Sequence, residues 1–176
     1  MSRLRANPPV AAPTCFVAID FETADYGRDS ACALALVRVV GDDIVERTHW
    51  LIRPPRRRFQ FTYLHGIAWE HVARAQTFGE LWLGVEEKLR GAHFLAAHNA
   101  PFDRGVLKAC CEQARLPEPK LRFECTVQLA RAAWGLHPTT LPDVCRHLRI
   151  PLQHHNALSD AEACAQIVMA ARRSMV

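Results

Sequence analysis

No run of apolar residues approaches the ~20 that a membrane-spanning helix needs. Residues 1–13 contain two arginines but no apolar segment, which excludes a typical secretory signal peptide. No CxxC pair occurs among the seven cysteines, so the spacing excludes a zinc ribbon and a thioredoxin-like redox site. We therefore expect a cytoplasmic protein with reduced cysteines. Five cysteines lie among aliphatic residues and are expected to pack as small buried hydrophobes: Cys15, Cys32, Cys125, Cys145 and Cys164.

The chain also lacks internal repeats, low-complexity tracts and an interdomain linker. We expect a flexible tail over residues 1–13 and one domain over residues 14–176. With 49% hydrophobic and 23% charged residues, the composition excludes a disordered chain. The net charge of +4 is compatible with an anionic partner but does not require one. The arginine cluster over residues 53–58 is better explained as a solvated loop than as a phosphate-binding patch.

The hydrophobic pattern predicts three strands followed by alternating helices and strands. Apolar residues over 15–19, 32–40 and 44–52 predict an antiparallel meander, with a hairpin turn at Gly41. Thr77 and Asn99 are expected to cap the helices that follow them. The fold class is therefore a mixed α/β sheet covered by helices. The later elements are expected at 68–73 (helix), 77–91 (helix), 93–97 (strand), 99–110 (helix), 121–125 (strand), 127–134, 141–148 and 157–172 (helices).

Two carboxylates stand at the end of the first predicted strand. Because alternate residues of a strand point to the same side, Asp20 and Glu22 should project together while Phe21 packs into the opposite face. Neighbouring carboxylates repel each other, and a divalent cation would compensate their charge. Taken alone, the pair is better explained by a turn-opening aspartate beside a solvated glutamate.

Two further segments place acids one turn into a predicted helix. Asp103 follows His98 and Asn99, and Asp160 follows His155 at the start of the last helix. An acid in the first turn is favoured by the helix dipole, which by itself explains both aspartates. We expect the neighbouring His154 to take no part.

Taken together, the four carboxylates and one histidine predict a site for hard cations such as Mg²⁺ or Mn²⁺. Two such ions can bind both the attacking water and the leaving oxygen of a phosphoryl displacement. A histidine that titrates near neutrality can accept the proton of that water. The spacing therefore favours a two-metal phosphodiesterase.

The segments Asp20-Phe-Glu-Thr23, His98-Asn-Ala-Pro-Phe-Asp103 and His155-x4-Asp160 resemble the three motifs of the DnaQ-like DEDDh 3′–5′ exonucleases. This family includes RNase T, oligoribonuclease and the proofreading epsilon subunit of bacterial DNA polymerase III, whose exonuclease domain the chain resembles. The resemblance extends over residues 16–169 and includes the segment Leu64-His-Gly-Ile67. It implies a ribonuclease H-like mixed sheet and removal of nucleotides from a 3′ end.

The resemblance also implies a role for each matching residue. Asp20, Glu22, Asp103 and Asp160 would bind two Mg²⁺ or Mn²⁺ ions, and His155 would be the general base. Seven residues would contact substrate: Phe21 and Thr23 in the terminal-nucleotide pocket, His65 and Ile67 at the end base, and His98, Asn99 and Phe102 along the strand path.

The expected substrate is the 3′ end of nucleic acid, with single-stranded DNA favoured over RNA. The expected products are nucleoside 5′-monophosphates. An exoribonuclease like RNase T or oligoribonuclease is the alternative, because no residue settles how the site treats a 2′-hydroxyl. A non-catalytic nucleic-acid-binding module and a zinc-organised interaction domain are weaker alternatives. After Thr23 the chain departs from the shorter turn of many relatives, which favours a stand-alone exonuclease. The sequence gives no support for a polymerase or clamp partner and leaves a homodimer open.

Overall fold

Five strands form one mixed sheet in the computed structural model, which describes residues 14–174. The sheet order is β3-β2-β1-β4-β5, with β1 (Cys15–Thr23), β2 (Ala31–Val40), β3 (Asp43–Leu51), β4 (Leu95–Ala97) and β5 (Phe123–Cys125). Strands β1, β2 and β3 pair antiparallel, whereas β4 pairs parallel with both β1 and β5. The predicted meander and the α/β class are confirmed. The tail predicted over residues 1–13 lies outside the described residues.

Helices cover both faces of this sheet. They are α1 (Thr62–His65), α2 (Trp69–Val72), α3 (Phe78–Leu89), α4 (Ala100–Ala114), α5 (Thr126–Trp134), α6 (Leu141–Leu148) and α7 (Ala157–Ser174). The predicted helices are all present, with ends shifted by a few residues. Helix α1 was not predicted, because none of its four residues is buried and the segment shows no core-facing period. None of the described helices is long and apolar enough to cross a membrane.

The alternation of side chains along β1 decides what each face of the sheet contacts. Val17, Ile19 and Phe21 point towards α3 and α4 and belong to the larger apolar cluster. Phe16 and Ala18 point to the other face, where they pack with small residues of α7. Because this face is rich in alanine on both strand and helix, α7 can lie close to the sheet. Asp20 and Glu22 continue the α7 face beyond the apolar cluster.

The ends of the helices and of the hairpin follow their local sequence with one exception. Gly41 turns the chain between β2 and β3 with φ of 64°, a conformation that costs glycine little. Thr77 caps α3 and forms a reciprocal pair of hydrogen bonds with Glu80. The prediction that the Asn99 side chain caps α4 is wrong. Asn99 instead adopts a left-handed conformation with φ of 62°, and its side chain makes no capping hydrogen bond.

The arginine cluster is more ordered than a solvated loop. Arg56 donates four hydrogen bonds of 2.6–2.8 Å to the carboxylates of Asp25 and Asp29, in the loop that follows β1. The same loop is attached to α4 by Arg28, which donates to the backbone carbonyls of Pro101 and Phe102 at 3.2 and 3.1 Å. The expectation of a solvated segment is therefore wrong for Arg56, whose guanidinium holds this loop in place.

All seven cysteines are free thiols, as expected. Six are buried, whereas Cys125 is half-buried at the end of β5. Burial raises the pKa of the Cys32 and Cys110 thiols to about 12, so these groups stay protonated and behave as small hydrophobes. Neither group of clustered metal-binding side chains in the described residues contains a cysteine, in contrast to the zinc-organised alternative.

Candidate active site

The centre of the site is the carboxyl end of β1. Asp20 and Glu22 lie on one face and are half-buried, whereas Phe21 is 3% exposed and packs against Phe78 at 6.4 Å between ring centroids. The predicted arrangement of this strand is confirmed. The two carboxylates therefore stand on the middle strand of the sheet, which pairs with β2 on one side and, at Val17 and Ala18, with β4 on the other.

Helix α7 brings a third carboxylate to this place. Oxygens of Asp20, Glu22 and Asp160 lie within 4.8 Å of one another. Asp160 is 4% exposed, and its Oδ2 accepts a hydrogen bond from the backbone N–H of His155 at 3.1 Å. Its Oδ1 is buried and has no hydrogen-bond partner within residues 14–174. A buried carboxylate oxygen with no partner is costly, and a bound cation would satisfy it.

Asp103 lies beside these three residues in the first turn of α4 and is 1% exposed. Its Oδ1 accepts a hydrogen bond from the backbone N–H of Phe21 at 3.1 Å. It is not a member of the trio within 4.8 Å. The structure thus brings the four predicted carboxylates together, with Asp103 also tying α4 to β1.

The four carboxylates oppose one another's ionisation. Burial, followed by the charges of Asp103, Asp160 and Glu22, raises the pKa of Asp20 well above its ordinary value. Burial and the charges of Asp160 and Asp103 raise the pKa of Glu22 to about 8, and burial raises the pKa of Asp103 to about 8. The pKa of Asp160 is also raised by burial. Such mutual repulsion is relieved when divalent cations bind between the carboxylates.

His155 lies at the turn before α7, close to Asp160. The residue has a left-handed backbone with φ of 66°, and Asn156 caps α7 by accepting from the backbone N–H of Ser159 at 3.1 Å. Burial, and next the neighbouring His154, lower the pKa of His155. The imidazole therefore favours its neutral form, which is the form that can accept a proton.

The expectation that His154 stands apart from the site is wrong. Its Nδ1 lies 3.0 Å from Oδ2 of Asp160, and its ring stacks on the ring of His155 with centroids 3.8 Å apart. The sequence showed two adjacent histidines, but the backbone turn that directs both towards Asp160 is visible only in the structure.

An apolar cavity of about 290 Å³ adjoins the carboxylates. Five further residues of the predicted site line it together with Asp20, Glu22 and Asp160: Phe21, Thr23, His65, Phe102 and His155. Phe102, predicted along the strand path, thus lies beside the residues predicted for the terminal nucleotide. Phe61 and Leu64 also line this cavity, and sequence analysis did not predict them. Both belong to the segment around α1, whose position was unknown without the fold.

His65 shapes this cavity through its ring nitrogens. Nε2 lies 3.1 Å from the carbonyl oxygen of Thr23, and Nδ1 accepts from the backbone N–H of Ile67 at 3.0 Å. Nε2 therefore carries the proton, and the ring is fixed between β1 and the end of α1. Ile67 does not line the cavity. It is half-buried and packs beside Ala24, Cys32 and Val72, and its contact with the end base stays a prediction.

A second, more polar cavity of about 470 Å³ lies against the same carboxylates. His98, Asn99, Arg131 and Thr139 line it, and it shares Asp20, Asp160 and His154 with the apolar cavity. His98 is held by Thr126 Oγ1 at 2.8 Å and the Thr139 carbonyl at 3.0 Å, so both of its ring nitrogens are occupied. Arg131 donates from Nε to Thr139 at 3.1 Å and is otherwise exposed. The predicted positions of His98 and Asn99 beside a groove agree with this arrangement.

The donor set fits hard divalent cations. It consists of clustered carboxylates, one of which has a buried oxygen that no described residue contacts by a hydrogen bond. These are the ligands that Mg²⁺ and Mn²⁺ prefer. The structure thus combines a cation-binding cluster with one apolar and one polar cavity, and the carboxylates lie where the two cavities meet.

Comparison with known proteins agrees with this geometry. A DNA polymerase III of the PolC type from Bacillus cereus is 30% identical over 163 residues, which are 90% of this chain but 11% of the polymerase. Exonuclease X, solved in complex with 5′-overhanging duplex DNA, is 25% identical and superposes with a TM-score of 0.74 over 90% of this chain and 92% of its own. The nuclease domain of 3′hExo, a DEDDh family member bound to rAMP, is 19% identical with a TM-score of 0.75 over 93% and 94% of the two chains, which shows a shared fold.

The chain therefore spans about one ninth of the length of the PolC-type polymerase that it matches. The sequence profile of the RNase_T family, described as exonuclease, matches residues 17–168. This match covers most of the chain and includes all four carboxylates and both histidines of the site. The chain belongs to the RNase_T exonuclease family, whose DnaQ-like DEDDh members are hydrolytic 3′–5′ exonucleases.

Proposed function

We propose that the protein is a metal-dependent exonuclease that removes nucleoside 5′-monophosphates one at a time from the 3′ end of single-stranded DNA. The observation that carries this proposal is the position of the carboxylate cluster where an apolar and a polar cavity meet. Such a site can hold one nucleotide on one side of the scissile phosphate and the rest of the strand on the other.

Asp20, Glu22, Asp103 and Asp160 would hold two Mg²⁺ or Mn²⁺ ions. When bound, such ions supply charge stabilisation for the attacking and leaving oxygens of the phosphodiester. His155 lines the apolar cavity next to Asp160, and its lowered pKa favours the neutral ring. We assign it the removal of a proton from the attacking water. All five residues of the predicted motif lie at one site, which supports an enzyme over a non-catalytic binding module.

The apolar cavity is proposed to bind the terminal nucleotide. Phe61, Leu64 and Phe102 offer apolar surfaces for a base, and a cavity of about 290 Å³ suits a single nucleotide rather than a base pair. The terminal base would therefore have to be unpaired to enter. This requirement supports single-stranded ends as the substrate.

The polar cavity is proposed to guide the preceding phosphates. Arg131 uses only its Nε on Thr139, so its two Nη groups can donate to a phosphate oxygen. Asn99 and Thr140 add exposed polar groups along the same cavity. The predicted role of Asn99 along the strand path rests on this placement.

The test is a product ladder. Oligonucleotides of one sequence, labelled at the 5′ end or at the 3′ end, as DNA and as RNA, are incubated with protein and Mn²⁺. We expect the 5′ label to appear in fragments shortened by single nucleotides and the 3′ label to be released at once as a mononucleotide. Faster loss of the RNA ladder would show the exoribonuclease alternative. Binding of oligonucleotides without any cleavage would overturn the enzymatic proposal.

The Asp20→Ala variant is the control for a contaminating nuclease. Asp20 lies at the centre of the cluster, so its loss should abolish the ladder with both Mg²⁺ and Mn²⁺.

A cytoplasmic location is proposed as well, and the seven free thiols support it because such thiols persist in reducing compartments. A homodimer is also proposed, and the molar mass from light scattering would distinguish it from a monomer.

A further inference from the structure

We propose that His154 is a positioning residue, which orients the carboxylate of Asp160 so that one of its oxygens is held ready for a cation. The inference rests on the proposed function, since it concerns a ligand of the proposed metal site. It assigns a separate task to each member of the His154-His155 pair.

The two oxygens of Asp160 have very different surroundings. Oδ2 lies 3.0 Å from Nδ1 of His154 and accepts from the backbone N–H of His155 at 3.1 Å. Oδ1 is buried and has no partner among the described residues. Two donors on one oxygen fix the rotation of the carboxylate, and this rotation turns Oδ1 away from both histidines. The free oxygen is therefore the one left for a metal ion.

The hydrogen bond from His154 constrains its ring. Nδ1 must carry a proton in order to donate to the carboxylate. The side chain of His154 is 39% exposed, whereas that of Asp160 is 6% exposed, so the histidine covers the carboxylate from the solvent side. His154 lines both cavities, which places its ring at the entrance to the carboxylate cluster.

The stack between the two imidazoles holds this arrangement together. The rings are 3.8 Å apart with an angle of 24° between their planes, and the left-handed backbone of His155 makes this pairing of adjacent residues possible. The hydrogen bond from His155 to the Asp160 carboxylate comes from its backbone N–H. The side chain of His155 is therefore left available for substrate. The contact through the side chain belongs to His154.

A partner that orients a metal ligand affects cation affinity. Loss of such a hydrogen bond typically weakens metal binding by about 10–100-fold. The effect should be seen in the protein alone, without nucleic acid, because His154 acts on Asp160 and not on substrate. This separates a positioning role from a direct contact with the strand.

The experiment is calorimetric titration of Mn²⁺ into the EDTA-treated and dialysed protein, comparing wild type with His154→Ala, His154→Asn and the control His71→Asn. We expect His154→Ala to weaken Mn²⁺ binding by about 10–100-fold. Asparagine can place an N–H donor near the position of Nδ1, so His154→Asn should restore most of the affinity. His71→Asn replaces an exposed imidazole of α2 that lines neither cavity, so it should bind Mn²⁺ as wild type does.

Thermal unfolding of each variant in EDTA shows whether it is folded. If His154→Ala is unfolded, His154→Asn is compared with His154→Gln, whose side-chain N–H lies one methylene further from the backbone. Equal Mn²⁺ affinity of wild type and folded His154→Ala would overturn the inference while leaving the proposed function intact. If His154→Ala weakens the binding of Zn²⁺ but not of Mn²⁺, His154 is a direct metal ligand, and this result would also overturn the inference. A wild-type protein that binds no Mn²⁺ would overturn the proposed function itself.

Discussion

Asp103 accepts a hydrogen bond from the backbone N–H of Phe21, with 3.1 Å between Oδ1 and the nitrogen. The bond joins the first turn of α4 to the end of β1, and both residues are buried. Asp103 therefore combines a structural hydrogen bond with its proposed role as a metal ligand. Substitutions that keep one of these properties and remove the other should separate them.

We expect Asp103→Asn and Asp103→Ala to lose activity alike but to differ in stability. Both remove the charge, which should lower turnover by at least about 100-fold because a metal ligand contributes several kcal/mol. Asparagine retains an oxygen for the Phe21 N–H, whereas alanine leaves this buried N–H unpaired at a cost of roughly 1–3 kcal/mol. Urea unfolding in EDTA measures the difference. Equal stability of the two variants would show that the hydrogen bond contributes little.

Removal of divalent cations should lower the thermal stability of the protein. The pKa of Glu22 is raised to about 8 by burial and by Asp160 and Asp103, which shows how strongly these carboxylates repel one another. At a hundredfold excess over the dissociation constant, bound Mn²⁺ should contribute about 2.7 kcal/mol. This corresponds to a rise of roughly 5–10 °C in Tm over the EDTA-treated protein.

Asp160→Ala serves as the matched control for that measurement. It removes one member of the carboxylate trio, so we expect its Tm in Mn²⁺ and in EDTA to coincide within about 2 °C, since little cation binding remains to stabilise the fold. A full Mn²⁺ shift in this variant would place the cation elsewhere.

His155→Asn should lower turnover by about 10²–10⁴-fold, the range that general bases contribute. The variant tolerates the left-handed backbone at this position, so its Tm should stay close to that of wild type. Single-turnover cleavage of a 5′-labelled oligonucleotide in Mn²⁺ measures the effect. Near-wild-type cleavage would remove His155 from the proton transfer.

The ion pair between Arg56 and Asp25 should make stability depend on pH in the acid range. Arg56, chiefly through its hydrogen bonds, holds the pKa of Asp25 below its ordinary value of 3.8. A carboxyl group with a lowered folded pKa stabilises the protein above the unfolded pKa and loses this contribution as the pH falls through the folded pKa. We therefore expect Arg56→Met to destabilise the protein by about 2 kcal/mol at pH 7 and by much less near pH 2.5.

Arg57→Met is the control for this variant. Arg57 is exposed and lies over the ring of Trp69 at 5.1 Å, so its loss should cost less than about 1 kcal/mol and should change little between pH 7 and pH 2.5. Urea unfolding at both pH values gives the comparison. A pH-independent loss in Arg56→Met would mean that packing and not charge holds the loop after β1.

The sheet and its meander could be predicted because their sequence signals are local. Residues 15–19 form a continuous apolar run, residues 32–40 are apolar except for Arg38, and Gly41 marks the turn between β2 and β3. The four carboxylates could be predicted as one site because each stands at the end of a strand or the start of a helix. Elements of an α/β sheet bring such ends to one edge.

The contacts that could not be predicted depend on packing and backbone geometry. The left-handed conformation of Asn99 replaced the expected cap, and nothing in the residue type distinguishes the two outcomes. Ile67 and Phe102 were both expected at the substrate, yet only Phe102 lines the cavity, because the apolar cluster around Val72 takes up Ile67. The contact of His154 with Asp160 depends on a turn between residues 153 and 157.

Because β1 lies in the middle of the sheet, the carboxylates on this strand should resist local unfolding more than the two histidines before α7. Asp20 and Glu22 stand on the middle strand of the sheet and pair with Ala35 and Ala33 of β2, so their backbone amides should exchange with solvent deuterium only when the whole domain opens. His154 and His155 lie in a turn outside the sheet, and the side chain of His154 is 39% exposed. Mild heating should therefore disorder the His154 and His155 side chains first, while Asp20 and Glu22 keep their native positions.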